Sequence, residues 1–131
     1  MFATRVLDGQ TAVVTGGGTG IGLAIARALG RMGATVVVAS RKPEHLSAGQ
    51  AAIESDGSKA LSVAVDVRDP AAVDRMVETV LDVTGRIDIL INNAAGNFIC
   101  RAEDLSPNGW NAVIGIVLNG SRTERSAEYA Y

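Results

Sequence analysis

Residues 11–22 read TAVVTGGGTGIG, a run of β-branched residues followed at once by a cluster of glycines. Valine and threonine favour extended backbone, so the first five residues predict a strand over Thr11–Thr15. Apolar residues at helical spacing follow the glycines and predict a helix from about Ile21, which Gly33 ends. This succession is typical of a phosphate-binding turn, where glycines allow close approach and the helix amino end offers free N–H groups.

The same strand-then-helix order repeats along the chain as far as residue 91. Further strands are predicted over Thr35–Ser40, Ala60–Val65 and Ile87–Ile91, and further helices over His45–Glu54 and from Asp69-Pro70 to Gly85. The second strand, TVVVAS, does not alternate polar and apolar residues, which indicates burial on both faces, as in a parallel sheet. The sequence therefore predicts an α/β fold, a Rossmann-type doubly wound parallel sheet with strands 1–4 and flanking helices.

The segment beyond residue 91 departs from this repeat. Ser106-Pro107 has the residue types of a helix start, and the helix it opens would have an apolar stripe of Trp110, Val113, Ile114 and Val117. Residues 121–131 lack apolar periodicity, so we expect one domain over residues 1–120 and an irregular or disordered tail over 121–131. The outer edge of the fourth strand would be exposed, and the domain marginally stable, unless a partner chain or the last helix covers that edge.

The spacing of the glycines restricts the kind of turn. The dinucleotide motif GxGxxG does not fit, because Gly16 and Gly18 would require a glycine where Ile21 stands. A P-loop does not fit either, because no Lys-Ser or Lys-Thr pair follows. The spacing GxxxGxG fits Gly16, Gly20 and Gly22. The alternative is a glycine-rich turn that binds no ligand.

The end of the second strand indicates which dinucleotide binds. Sites for NAD usually place an acidic residue there to bind the ribose 2′-hydroxyl, whereas sites for NADP place a basic residue that binds the 2′-phosphate. Here the strand ends with Ser40, Arg41 and Lys42, without an acid. A guanidinium can bind a phosphate through two parallel hydrogen bonds, and the serine hydroxyl can add another. We therefore predict NADP(H); the alternative is that Arg41 and Lys42 are a solvated loop pair.

Several motifs in the same order resemble the short-chain dehydrogenase/reductase family. They are the glycine motif Thr15–Gly22, Asp66-Val67 after the third strand, Asn92-Asn93-Ala94-Ala95-Gly96 after the fourth, and Asn119 in the predicted helix that follows. The resemblance covers about residues 8–120. The segments ASRK at 39–42, DVRDP at 66–70, NAAGNF at 93–98 and VLNG at 117–120 look most like the branch of 2,4-dienoyl-CoA reductases, which are NADPH-dependent reductases of unsaturated fatty acyl-CoA thioesters.

This resemblance implies a role for each motif. The glycine turn would hold the pyrophosphate, the end of the second strand the 2′-phosphate, and Asp66 and Val67 the adenine. Phe98 would lie near the acyl group, and Asn119 would belong to the catalytic set by orienting water or substrate. The implied cofactor contacts are Gly16, Gly18, Thr19, Gly20, Ile21, Gly22, Ser40, Arg41, Lys42, Asp66, Val67, Asn93, Ala94, Ala95 and Gly96.

Three of these polar residues also have structural interpretations. Asp66 could stabilise the turn into the next helix, and Asn93 could tie loop backbones together. Asn119 could be an ordinary polar residue near a helix end.

The proton donor implied by the resemblance is not found in this sequence. Members of the family use a tyrosine as acid, a lysine four residues later that lowers the tyrosine pKa, and an upstream serine. A free tyrosine, with a pKa near ~10, is poorly matched to neutral pH without such help. The only tyrosines are Tyr129 and Tyr131, and the last lysine is Lys59. We therefore expect no turnover by this chain alone; the alternative is a non-catalytic dinucleotide-binding module or regulatory subunit.

Composition excludes several other classes. A net charge of −2 does not favour nucleic acid or an anionic membrane as partner. One cysteine, Cys100, cannot form an internal disulfide, and the single His45 excludes a histidine-rich metal site, so no metal is predicted. No apolar run approaches the ~20 residues that span a bilayer. We expect a cytoplasmic protein, an acyl-CoA-type substrate for the complete enzyme, and a homo-oligomer.

Overall fold

The computed structural model describes residues 5–94 and 117–119, which form five strands and three helices. In chain order these are β1 (Thr11–Thr15), α1 (Gly20–Arg31), β2 (Thr35–Ser40), α2 (Pro43–Ser55), β3 (Ala60–Ala64), α3 (Pro70–Thr84), β4 (Ile89–Ile91) and β5 (Val117–Asn119).

The strands form one sheet in the order β3-β2-β1-β4-β5, and the first four run parallel. The chain winds from β1 outward to β3 and then returns to the other side of β1 to add β4. This reversal confirms the predicted doubly wound Rossmann-type fold. Ligands of such sheets bind outside the carboxyl ends of the strands at the reversal point, which lies here between β1 and β4.

Both faces of the sheet are covered by helices. Ala12, Val14, Val36 and Val38 pack against α1 and α2 on one face, whereas Val13, Val37 and Ala39 pack against Met76 and Val80 of α3 on the other. The apolar residues of β2 are buried on both faces, as the absence of alternation predicts.

The ends of α3 follow the predicted capping chemistry. The Asp69 carboxylate accepts a hydrogen bond from the N–H of Ala71 at 3.1 Å, and Pro70 occupies the first turn. Gly85 ends the helix at φ +77°, a left-handed conformation that favours glycine. The apolar spacing of Val73, Met76, Val77, Val80 and Leu81 predicts one buried stripe on α3, but Leu81 is 42% exposed. It follows Val80 by one residue, and so lies about 100° further round the helix.

Two strand boundaries also differ from the predictions. β3 ends one residue early, at Ala64, and β4 begins at Ile89 rather than Ile87. Asp88 explains the second difference, because its carboxylate accepts from the N–H of Thr11 at 2.8 Å while its own N–H donates to the Thr11 carbonyl at 2.9 Å. A side chain thus replaces a backbone partner where the strand was expected to continue.

The helix predicted to begin at Ser106-Pro107 is wrong at its carboxyl end, because Val117–Asn119 form β5, an antiparallel strand paired with β4. This pairing satisfies backbone N–H and C=O groups that β4 would otherwise leave unpaired at the sheet edge. This edge was expected to be exposed unless a partner chain or the last helix covered it, but in the structure a strand of the same chain, β5, covers it. The remainder of the predicted helix and the 121–131 tail lie outside the described residues.

A half-buried ion pair joins α1 to the end of α2. Arg27 donates to both oxygens of Asp56 through its Nε and Nη2 atoms, each at 2.7 Å, and the Asp56 side chain is only 14% exposed. The hydrogen bonds from Arg27 are the main cause that lowers the pKa of Asp56.

This ion pair predicts a specific loss of stability in acid. A carboxyl whose pKa is lowered by folding stabilises the protein above its ordinary pKa of about 4, and the contribution is lost as pH falls through the lowered value. We expect Asp56→Asn to be less stable than the parent at pH 7 and to lose less further stability below pH ~4. Urea unfolding over pH 2–7 measures this, with the exposed Asp82→Asn as charge-matched control. Parallel profiles for parent and Asp56→Asn would contradict it.

Candidate functional site

The turn from β1 into α1 lies at the carboxyl edge of the sheet, beside the reversal point. Gly16 and Gly20 have φ values of +65° and +54°, which residues with a side chain rarely adopt. The N–H of Gly16 donates to the carbonyl of Ala39 in β2 at 2.7 Å, so the turn starts by bridging two strands. The glycines are therefore required by the path of the backbone.

Packing requires three further glycines of this turn. A Cβ on Gly22 would collide with the carbonyl oxygen of Gly16 and with Nδ2 of Asn93. A Cβ on Gly18 would collide with the backbone of His45, and one on Gly17 would lie 2.9 Å from the Val14 carbonyl oxygen. Gly17, Gly18 and Gly22 are buried, so they bring β1, α1 and α2 together independently of any ligand.

The remaining part of the turn faces outward. Thr19, Gly20 and Ile21 are exposed, and Ile21 is 76% exposed although it is apolar. The side chain of Thr19 does not cap the helix, and the first helical bond runs from the N–H of Leu23 to the Thr19 carbonyl. The amino end of α1 therefore presents N–H groups and the positive end of the helix dipole to an anion.

Ser40, Arg41 and Lys42 follow β2 at the same edge. The Ser40 hydroxyl oxygen accepts from the N–H of Lys42 at 3.4 Å, and both basic side chains belong to exposed residues. Within residues 5–94, six of the seven arginines have a carboxylate within 4.0 Å, and Arg41 alone has none there. The Arg41 guanidinium is thus available to an external anion.

Asp66 follows β3 and is bound by a residue that the sequence analysis did not select. Arg68 donates to the Asp66 carboxylate from its backbone N–H at 3.0 Å and from Nε and Nη2 at 3.0 and 2.7 Å. These hydrogen bonds, with a smaller contribution from the nearby Arg41, lower the pKa of Asp66 well below its ordinary value. Asp66 stabilises the turn into α3, while the next residue, Val67, is 38% exposed. An Asp-x-Arg sequence in a polar turn is the signal that could have identified Arg68.

The end of β4 is tied to the glycine turn through Thr15, which the sequence analysis also did not select as a site residue. The Thr15 hydroxyl accepts from the N–H groups of Asn93 and Ala94 at 2.9 and 3.0 Å. Nδ2 of Asn93 in turn donates to the carbonyls of Thr15 and Gly16 at 3.2 and 3.3 Å. Asn93 therefore ties loop backbones together, and its role toward a cofactor stays a prediction.

The described structure brings most, but not all, of the predicted residues to one edge. The glycine turn and the residues after β2, β3 and β4 all lie at the carboxyl ends of adjacent parallel strands. Asn119 pairs with Ile89, at the amino end of β4, so its backbone does not join this edge, and its catalytic role stays a prediction. Ala95, Gly96 and Phe98 lie outside the described residues.

Two clefts in the described part of the chain lie away from the carboxyl edge of the sheet. These clefts, of about 280 and 330 Å³, share Gly9, Thr35 and Lys59 in their linings, at the amino ends of the strands. None of the predicted cofactor contacts lines either of these two clefts. In the same residues we find no group of three potential metal ligands and no helix long and apolar enough to cross a membrane.

Comparison with known proteins agrees with this geometry. Residues 10–123 match the short chain dehydrogenase family. A probable 2,4-dienoyl-CoA reductase, (2E)-enoyl-CoA-producing, of Bacillus subtilis (strain 168) is 42% identical over 115 residues, which are 88% of this chain and 45% of that protein. The chain thus spans less than half the length of this relative.

Two solved structures extend the comparison to cofactors. A metagenomic short-chain oxidoreductase in complex with NADP is 42% identical with a TM-score of 0.71, over 82% of this chain and 49% of that one. L-Sorbose reductase from Gluconobacter frateurii, complexed with NADPH and L-sorbose, is 36% identical with a TM-score of 0.72, over 82% and 41%. The predicted cofactor, NADP(H), is the one that both of these complexes contain.

Proposed function

The chain belongs to the short-chain dehydrogenase family, and on that premise we propose that its described domain binds NADP(H) for the reduction of an unsaturated acyl-CoA thioester. The choice of NADP(H) over NAD(H) rests on Arg41. It is the one arginine of residues 5–94 without a carboxylate within 4.0 Å, and it stands where a 2′-phosphate is recognised in this fold.

The residues at the carboxyl edge fit the other parts of the dinucleotide. The N–H groups at the amino end of α1 would hold the pyrophosphate, and the exposed Ile21 would be covered by the cofactor. Val67 and Asp66 would contact the adenine, with Arg68 fixing the Asp66 carboxylate. Asn93 and Ala94, held by Thr15, would line the path from the ribose to the nicotinamide.

When bound, NADPH supplies a hydride. On the substrate side, Phe98 would contact the acyl group and Asn119 would orient water or substrate. The substrate class is proposed from the name of the Bacillus subtilis relative and from the resemblance of the segments at 39–42, 66–70, 93–98 and 117–120 to the 2,4-dienoyl-CoA reductase branch. Assembly as a homo-oligomer and a cytoplasmic location remain predictions of the sequence.

Substitution of Arg41 tests the proposed cofactor. We expect Arg41→Ala to raise the Kd for NADPH about 10- to 100-fold and to leave the Kd for NADH nearly unchanged, because charge-assisted hydrogen bonds contribute about 1.5–3 kcal/mol. Nicotinamide fluorescence in titrations of the purified chain measures both constants. Arg31→Ala is the matched control, because Arg31 lies in the last turn of α1, at the end opposite to the one that would hold the pyrophosphate. NADH bound as tightly as NADPH by the parent would overturn the proposal.

Turnover by residues 1–131 is expected to be absent even where NADPH binds. Reduction of a dienoyl-CoA needs a proton donor as well as a hydride, and residues 1–131 contain no Tyr-x-x-x-Lys pair. Loss of NADPH absorbance in the presence of a 2,4-dienoyl-CoA measures turnover, with a complete family member as positive control. Enzyme-dependent consumption of NADPH would show that another group in this chain donates the proton.

A further inference from the structure

The first turn of α2 lies directly against the glycine turn, with no side chain between them. A Cβ on Gly18 would collide with the carbonyl oxygen of His45 and lie 3.0 Å from its Cβ. A Cβ on Gly49, one turn further along α2, would lie 2.7 Å from the Cα of Gly18. The pair of glycines therefore lets His45 approach the site that the pyrophosphate and the 2′-phosphate would share.

The position of His45 on α2 sets the direction of its side chain. His45 is the third residue of α2, and its N–H donates to the carbonyl of Lys42 at 3.1 Å. Because the Cα–Cβ bonds of a helix tilt toward its amino end, we expect the imidazole to project toward the segment Ser40–Lys42 rather than along α2. His45 is half-buried, so part of the residue is exposed at this corner.

The charges around His45 are mostly positive. Arg41 and Lys42 precede it, Glu44 is the one acidic residue of the same turn, and the glycine turn at 16–20 carries no titratable side chain. Among the described residues, no carboxylate lies within 4.0 Å of the imidazole. A bound phosphate would therefore supply a negative charge that the described residues around His45 lack.

We propose that His45 is a third basic contact for the 2′-phosphate and makes the preference for NADP(H) over NAD(H) increase as pH falls. This inference rests on the proposed function, because it takes the cofactor position from the amino end of α1 and from Arg41. Imidazoles change charge between pH 5 and 8, where guanidinium and ammonium groups stay charged. An imidazole at this position can therefore make the recognition of this phosphate sensitive to pH.

Titrations with NADPH and NADH at pH 6.5 and 8.5 test the inference, a range above the phosphate pKa of about 6. We expect the parent to bind NADPH about three- to tenfold more tightly at pH 6.5, while NADH binding stays constant. His45→Gln should lose most of this pH dependence, and His45→Lys should bind NADPH tightly at both pH values. Circular dichroism confirms that each variant is folded.

The outcomes separate this inference from the proposed function. If Arg41→Ala abolishes the preference for NADPH but His45→Gln keeps the pH dependence of the parent, the role of His45 is wrong and the cofactor assignment stands. If the parent does not prefer NADPH at either pH, both fail. Loss of the pH dependence in His45→Gln, together with tight NADPH binding at both pH values in His45→Lys, is the result that supports the role of His45.

Discussion

Gly22→Ala is expected to raise the Kd for NADPH more than about 100-fold and to lower the free energy of unfolding by about 1–3 kcal/mol. The added methyl would collide with the Gly16 carbonyl oxygen and with Nδ2 of Asn93, which donates a hydrogen bond to that oxygen and another to the Thr15 carbonyl of β1. Helix α1 must therefore move away from the turn, which displaces the N–H groups that would hold the pyrophosphate. Fluorescence titration measures the binding, and urea unfolding measures the stability.

A second glycine on the same helix gives the matched control. Gly30 lies in the last turn of α1, where a Cβ would lie 2.8 Å from the Cβ of Ser58, far from the carboxyl edge. Gly30→Ala should therefore destabilise the fold by a similar amount while the folded protein still binds NADPH. If both variants lose affinity in proportion to their lost stability, Gly22 acts through general packing and has no particular role at the cofactor site.

The fold could be predicted from local sequence patterns, because each of its features has a local physical cause. The unbroken apolar run TVVVAS requires burial on both faces, and β2 lies inside the sheet between β1 and β3. Asp69-Pro70 and Gly85 have the chemistry of helix ends, and α3 begins and ends at them. β5 could not be predicted in this way, because its pairing with β4 depends on an available sheet edge and not on its own periodicity.

The candidate site could be predicted only in part, for a related reason. Glycines and basic residues can be recognised by their type and spacing, so the glycine turn and the basic residues after β2 could be predicted from the sequence. Thr15 stands in the strand and at the start of the glycine motif, but its role as a link could not be predicted, because its hydroxyl acts on Asn93, 78 residues away in the chain. Likewise, the burial of Gly18 against His45 follows from how α2 packs, which no local pattern contains. Residues that support a site across strands are visible only once the strands are placed.

Thr15→Val is expected to lower the free energy of unfolding by about 2–5 kcal/mol, a large part of the 5–15 kcal/mol typical of a domain. Valine keeps the branched shape at a position that is 3% exposed, so no cavity is formed. The half-buried N–H groups of Asn93 and Ala94, however, lose their shared acceptor, and each donor left without a partner costs about 1–3 kcal/mol. Urea unfolding of parent and variant measures the difference.

Thr15→Ser separates the hydroxyl from the rest of the side chain. Serine keeps the acceptor for both N–H groups and removes one methyl, which should cost only about 1 kcal/mol. Since the hydroxyl holds the start of the loop after β4, the valine variant should also bind NADPH more weakly than the serine variant under conditions where both are folded. Equal stability of the two variants would mean that Asn93 and Ala94 find another acceptor, and the link between β1 and β4 would then not depend on Thr15.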